Sequence, residues 1–308
     1  MSQYQRWLVL SRRNALKGVA ALGALGAFGS AFLAGLSRAG AAKSTLTFEE
    51  VPHGMAEDLR SAPGYSAQVL IRWGDRVVPD APDFDLGKQS AAAQEKQFGY
   101  NNDFTAFMPL PAGSDNSDRG LLCVNHEFTT AHLMWPVGAW DFFDRPNKAR
   151  MEVEMAAHGH SVVEIEKIGA GWRVVEDSRY NRRITALGTP LRISGPAAGH
   201  ERLKTRADPT GTRVIGTLND CAGGATPWGT LLIAEESFHR YFTGDIEGTG
   251  EERNYRRYGI GGKRRRAWAR HHERFDLEKE PNEANRFGWV VEIDPYDPAS
   301  TPVKRTAL

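Results

Sequence analysis

The run from Asn219 to Glu236, Asn-Asp-Cys-Ala-Gly-Gly-Ala-Thr-Pro-Trp-Gly-Thr-Leu-Leu-Ile-Ala-Glu-Glu, constrains this chain more than any other stretch. It sets a thiol, an amide, three carboxylates and three glycines around one tryptophan. It then enters a short apolar strand, Thr230 to Ala234, that delivers two adjacent acids at its end. Glycine accepts positive φ without penalty and lets the backbone approach a bound ion or phosphate closely. The Cys221 thiolate is a soft ligand for a transition metal, whereas Asn219 and the acids offer hard oxygens that suit calcium or magnesium. The same residues also read as a Gly-Pro turn, an inert core cysteine and a surface acid pair, and spacing does not choose between the two.

The rest of the chain argues for β structure. Its apolar runs are short, its aromatics are scattered, and 32 glycines and 16 prolines supply many turns. Hydrophobic residues reach 41%, enough for a core, and 39 basic against 38 acidic residues give no basic field for nucleic acid. The N-terminus reads as a targeting segment. Ser11-Arg12-Arg13-Asn14-Ala15-Leu16-Lys17 precedes a weakly apolar Ala/Gly run from Gly18 to Leu36, and Ala39-Gly40-Ala41 supplies a cleavage pattern. Paired arginines before a glycine-rich segment look like a twin-arginine signal, with Ala15 in place of the usual large apolar residue. A single membrane anchor is the alternative, weakened by the frequent glycine. Residues 1–42 hold five bases and no acid, so 39 less five leaves 34 against 38, a net charge of −4 for residues 43–308. Only Cys123 and Cys221 are present. Cys123 lies in an apolar strand and reads as core, whereas Cys221 lies in a polar Gly turn and reads as a ligand, so no disulfide is expected.

Strands are predicted at Ser66 to Trp73, Phe104 to Leu110 and Gly120 to Val124, the last two forming a hairpin that ends in Asn125-His126-Glu127. Alternation along a strand lets Asn125 and Glu127 share a face while His126 points away; the triplet alone is also an ordinary turn. Asn147 to His158 reads as a helix, and Ser161 to Lys167 with Trp172 to Glu176 as a second hairpin. Arg179, Arg182 and Arg183 could fork onto a phosphate, or be solvated surface charge. Ser194 to Thr212 reads as loop, Arg213 to Thr217 and Trp289 to Asp294 as strands. Arg253 to His272, with Lys263 to Arg266, reads as a solvated basic run. Pro302 to Ala307 looks like the opening of a strand with nothing to pair with, as though the chain stops mid-fold.

These motifs fall in the order seen in the PhoX family of bacterial alkaline phosphatases, which the chain resembles over essentially all of 43–308. The residues that carry the likeness are Asn-His-Glu at 125–127, Arg-Tyr-Asn-Arg-Arg-Ile-Thr at 179–185, Gly-Pro-Ala-Ala-Gly-His at 195–200 and Asp-Pro-Thr-Gly-Thr at 208–212. The Asn-Asp-Cys-Ala-Gly-Gly run with Glu235-Glu236, and Asn-Arg-Phe-Gly-Trp-Val-Val-Glu-Ile-Asp-Pro at 285–295, continue the series. The resemblance implies a β-propeller with inserted loops and short helices, twin-arginine export to the periplasm or medium, and a monomer. It also implies hydrolysis of small phosphomonoesters with calcium and iron. It makes Cys221 the thiolate ligand to iron, with Glu235 and Glu236 as the acid pair of the cluster and Asn125 and Glu127 as further ligands. Asp220 stands where the family usually has asparagine. Family ligands also follow the segment that ends here at Leu308, so the resemblance is to the N-terminal part, and 43–308 is expected to be a fragment inactive by itself. The other reading is an exported binding or scaffold module without catalysis.

Overall fold

The structure is a computed structural model that describes residues 49–307 except 56, 137–146 and 263–266. The export segment expected at 1–42 and the Lys263 to Arg266 run lie outside the described residues. The chain divides into two units, Met1–Ala67 and Gln68–Leu308. The described part of the first forms no helix or strand; one turn is closed by the Tyr65 amide donating to the Ala62 carbonyl at 3.0 Å.

Among the described residues, the second unit holds two sheets. In the first, β1 (Asn102–Pro109) and β2 (Arg119–His126) form the predicted hairpin, and β3 (Gly159–Ile168) returns antiparallel along β2. Both β4 (Gly171–Val174) and β5 (Arg182–Ile184) then pair with β3. Short helices α1 (Ala91–Gln94) and α2 (Ala131–Met134) precede α3 (Lys148–Ala157), the predicted helix. It begins where Asn147 Oδ1 accepts from the Arg150 amide at 2.9 Å, satisfying one of the free amides of the first turn. Met151 and Met155 of α3 enter the main core.

The second sheet has the order β7 (Arg213–Ile215), β6 (Pro190–Ser194), β11 (Val303–Arg305), β10 (Val290–Ile293), β9 (Leu231–Glu235), β8 (Asp220–Ala225). Its one parallel pairing is β6 with β11. The two sheets share a core: Leu121, Cys123 and Val162 from the first cluster with Leu191, Ile193, Leu231, Ile233, Val291 and Ile293 from the second. Each such side chain taken out of water stabilises by roughly 1.5–3 kcal/mol. The mainly β class is therefore as composition suggested.

Four local expectations are corrected. Residues 66–73 form no strand; instead the Gln68 side-chain amide clasps Trp172, accepting from its N–H at 3.0 Å and donating to its C=O at 2.9 Å. The last strand does have partners, since β11 lies inside the sheet between β6 and β10. Asp220 to Ala225 is a bulged strand and not a turn. Finally, neither reading of the arginine cluster holds for Arg182 and Arg183. Arg182 donates to the carbonyls of Pro298 and Ser300 at 3.1 and 3.0 Å, and Arg183 to those of Ala156, His158 and His160 at 2.8 to 3.1 Å. Both guanidiniums staple backbone, with no spare fork for a phosphate.

Candidate metal centre

Two bulges build the site. Along β1, Asn102 faces His126 and Thr105 faces Val124, so one extra residue falls across Asp103 and Phe104. Along β8, Asp220 faces Glu235 and Gly223 faces Ile233, leaving an extra residue at Cys221 and Ala222. A bulge bends the strand and re-aims the side chains it carries. These two aim Asp103 and Cys221 at the Glu127 carboxylate just beyond β2, and one ligand atom from each of the three lies within 4.8 Å of the others. Gly223 lets the strands come this close, because a Cβ there would sit 2.4 Å from the Phe104 ring.

Glu127 is held by two asparagines in the left-handed region, Asn101 (φ 54°) and Asn219 (φ 56°), a conformation asparagine tolerates better than most residues. Asn101 Nδ2 donates to Glu127 Oε2 at 3.3 Å, and Asn219 Nδ2 donates to Glu127 Oε1 at 3.0 Å. The same Asn219 amide donates to Glu236 Oε1 at 2.9 Å, and the Asn219 carbonyl accepts from the Glu236 amide at 3.0 Å. Glu236 is thereby brought beside Glu127.

The crowding of acids around one thiol raises two of these groups, Cys221 and Glu127. Hydrogen bonding to Asp103 raises the Cys221 thiol first, then partial burial and the charges of Asp103, Glu127 and Glu236, to about 12. Burial pushes the Glu127 carboxyl up, and the charges of Asp103 and Glu236 push it further. A cation among them reverses that repulsion, since a thiolate and carboxylates are ligands only when deprotonated. The donor set therefore fits a metal, with sulfur for a softer ion and oxygens for a harder one.

The structure brings Glu127, Cys221 and Glu236 together and leaves two other expected ligands out. Glu235 is on the opposite face of β9 from Glu236, on the side of Leu231 and Ile233, because adjacent strand residues point apart. Its Oε1 accepts from Lys304 Nζ at 2.7 Å and its Oε2 from the Gly288 and Trp289 amides at 2.9 and 3.2 Å. Asn125 shares the Glu127 face as expected, but its amide is fully used: Nδ2 donates to the Cys221 and Ala222 carbonyls at 3.0 and 3.3 Å, and Oδ1 lies 2.8 Å from His160 Nδ1. His126 points away, against the edge of Phe98. Trp228 stands outside the site, 70% exposed, its Nε1 donating to Glu292. The residue that sequence reasoning missed is Asp103. Its signal was available, since it opens the strand whose hairpin partner ends in Asn125-His126-Glu127.

Fold and site together describe a two-sheet β protein with a candidate thiolate and carboxylate metal centre where the sheets meet. The family model described as alkaline phosphatase PhoX matches residues 46–308, and the chain belongs to that family. A solved structure, Pseudomonas fluorescens PhoX in complex with vanadate, a transition state analogue, is 42% identical with a TM-score of 0.78. The match covers 85% of this chain and 44% of that one, so the chain spans less than half the length of this relative. Comparison with curated proteins gives no match.

Proposed function

We propose that the full-length protein is an exported, metal-dependent phosphatase that hydrolyses small phosphomonoesters. The observation that carries this reading is the cluster of Asp103, Glu127 and Cys221, with Glu236 beside it, in a chain of the PhoX family. Vanadate bound to the Pseudomonas protein supports the reaction class, because vanadate mimics phosphorus in transfer. Cys221 would hold iron, and Asp103, Glu127 and Glu236 would hold calcium. When bound, such cations neutralise non-bridging phosphoryl oxygens and stabilise the leaving oxygen. The chain's own contribution is to fix the ligands: Asn101 and Asn219 orient Glu127, and Asn125 fixes the backbone at Cys221. Twin-arginine export to the periplasm or medium, a propeller completed by further blades, and a monomeric enzyme belong to the same reading.

The test is turnover of p-nitrophenyl phosphate by the full-length protein. Chelation abolishes it, and calcium restores it better than magnesium, because a flexible multi-carboxylate site suits the larger ion. Cys221→Ser loses bound iron by elemental analysis, whereas Cys123→Ser, in the core, keeps it. Unchanged iron in Cys221→Ser, or equal rescue by magnesium, removes the corresponding assignment.

A further inference from the structure

We propose that His158 and His160, which flank Gly159 where α3 gives way to β3, are positioning residues that set separate halves of the metal centre; the inference rests on the metal-site reading above. One branch runs from His160. The Asn125 amide nitrogen faces two carbonyls, Cys221 and Ala222, which can only accept, so its Oδ1 accepts from His160 Nδ1–H at 2.8 Å. This fixes the carbonyls of the β8 bulge and with them the direction of the Cys221 thiol. The other branch runs from His158, whose Nδ1 lies 2.6 Å from the Glu154 carbonyl and whose Nε2 lies 2.8 Å from the Tyr241 hydroxyl; the carbonyl can only accept and the one hydroxyl proton goes to Asn219, so both ring nitrogens donate and His158 stands here as an imidazolium. Tyr241 donates to Asn219 Oδ1 at 3.0 Å, and Asn219 Nδ2 donates to both Glu127 and Glu236. That branch sets the spacing of the two carboxylates.

His158, His160, Tyr241 and Asn125 have no exposed surface and Asn219 has 2%, so these residues act through the ligands they hold. Outer partners of this kind orient a metal's ligands, and their loss typically weakens metal binding about 10–100-fold. A merely structural role would weaken every metal alike; two branches predict a split.

The test uses two probe ions on the full-length protein, cobalt(II) for the thiolate, read by its sulfur-to-metal charge-transfer band, and terbium(III) for the oxygens, read by sensitised luminescence. Tyr241→Phe weakens terbium binding about 10–100-fold and leaves the cobalt band within about twofold, while His160→Gln does the converse. Because His158 acts through Tyr241, the double variant His158→Gln/Tyr241→Phe binds terbium no worse than Tyr241→Phe. If His160→Gln does not fold, the Tyr241 arm decides alone, since it removes a single hydroxyl. Equal loss of both ions in step with the urea midpoint, or no change in either, overturns the proposal. A wild-type protein that takes up neither ion overturns the metal-site reading itself, and this inference with it.

Discussion

Lys304 is a cation with no exposed surface, paired with an equally enclosed Glu235 and lying 3.7 Å from the centre of the Phe287 ring. Asp220 shares the enclosure: Thr217 Oγ1 lies 2.6 Å from Asp220 Oδ1 and 3.0 Å from Glu235 Oε1. Burial, and then the Glu235 charge, pushes the Asp220 carboxyl well up, and the close ion pair of Lys304 is with Glu235. Lys304→Met leaves a buried charge without a partner and is expected to cost about 3–5 kcal/mol in urea unfolding. Adding Glu235→Gln removes that charge, and the double variant should lose less than Lys304→Met alone. A different residue sets the acid limit. Burial, then the charges of Arg182 and Arg183, lowers His160 to about 3, whereas an unfolded histidine takes a proton near 6.5. The unfolded chain therefore binds more protons between those values, so this contribution is complete above 6.5 and is lost as pH falls towards 3. Stability should fall by about 1.4 kcal/mol per pH unit for each histidine so buried. His126, lowered well below its usual value mainly by burial, adds to the same slope. The raised carboxyls of Asp220 and Glu127 contribute the opposite slope, so the histidine part is read by difference: a pH dependence of the urea midpoint that is unchanged in His160→Gln between pH 6.5 and pH 4.5 would contradict this.

At the scale of elements, the site depends on two strands that each carry one residue too many. Gly223→Ala puts a Cβ against the Phe104 ring, and overpacking of this kind costs about 1–3 kcal/mol. The clash pushes β8 away from β1, so Gly223→Ala should lose metal as well as stability, and Phe104→Leu in the same chain should recover part of both. Equilibrium dialysis with calcium reads the first and urea unfolding the second. Bulges are hard to read in a sequence, because Asp-Cys-Ala-Gly-Gly is as good a turn as a bent strand. Local elements were legible: the hairpin of β1 and β2, α3 with its Asn147 cap, and β3 with β4 follow from period and turn residues. The pairing of β6 with β11 was not. Ser194 and Arg305, which hydrogen-bond at 3.0 Å, are 111 residues apart, and nothing local to either announces the other. The same limit hid the split of Glu235 from Glu236. Two adjacent acids on a strand must diverge, but which one turns inward depends on Lys304, a lysine on a distant strand. The short polar runs marked Cys221, Glu127 and Glu236 as possible ligands, but it was the family resemblance that chose them over an ordinary turn and a surface acid pair, and it chose Glu235 and Asn125 with them.

For the molecule as a whole, the candidate centre is a joint between sheets. Asp103 and Glu127 come from the end of the first sheet where β1 and β2 meet, Cys221 and Glu236 from β8 and the end of β9 in the second. A cation held by both sets binds the assembled pair and not the unfolded chain, so its binding energy adds to the stability of the whole unit. Without it, burial first and then the charges of Asp103 and Glu236 raise the Glu127 carboxyl. Calcium at a hundred times its dissociation constant should therefore raise unfolding free energy by about 2.7 kcal/mol, and chelation should remove that increment. The increment should vanish in Glu127→Gln, which keeps the shape and loses the charge at the junction. It should survive in Lys304→Met, which lowers the baseline from a site that the cation does not touch. Parallel urea titrations with calcium and with chelator separate these outcomes. An increment of the same size in Glu127→Gln would mean that calcium binds elsewhere.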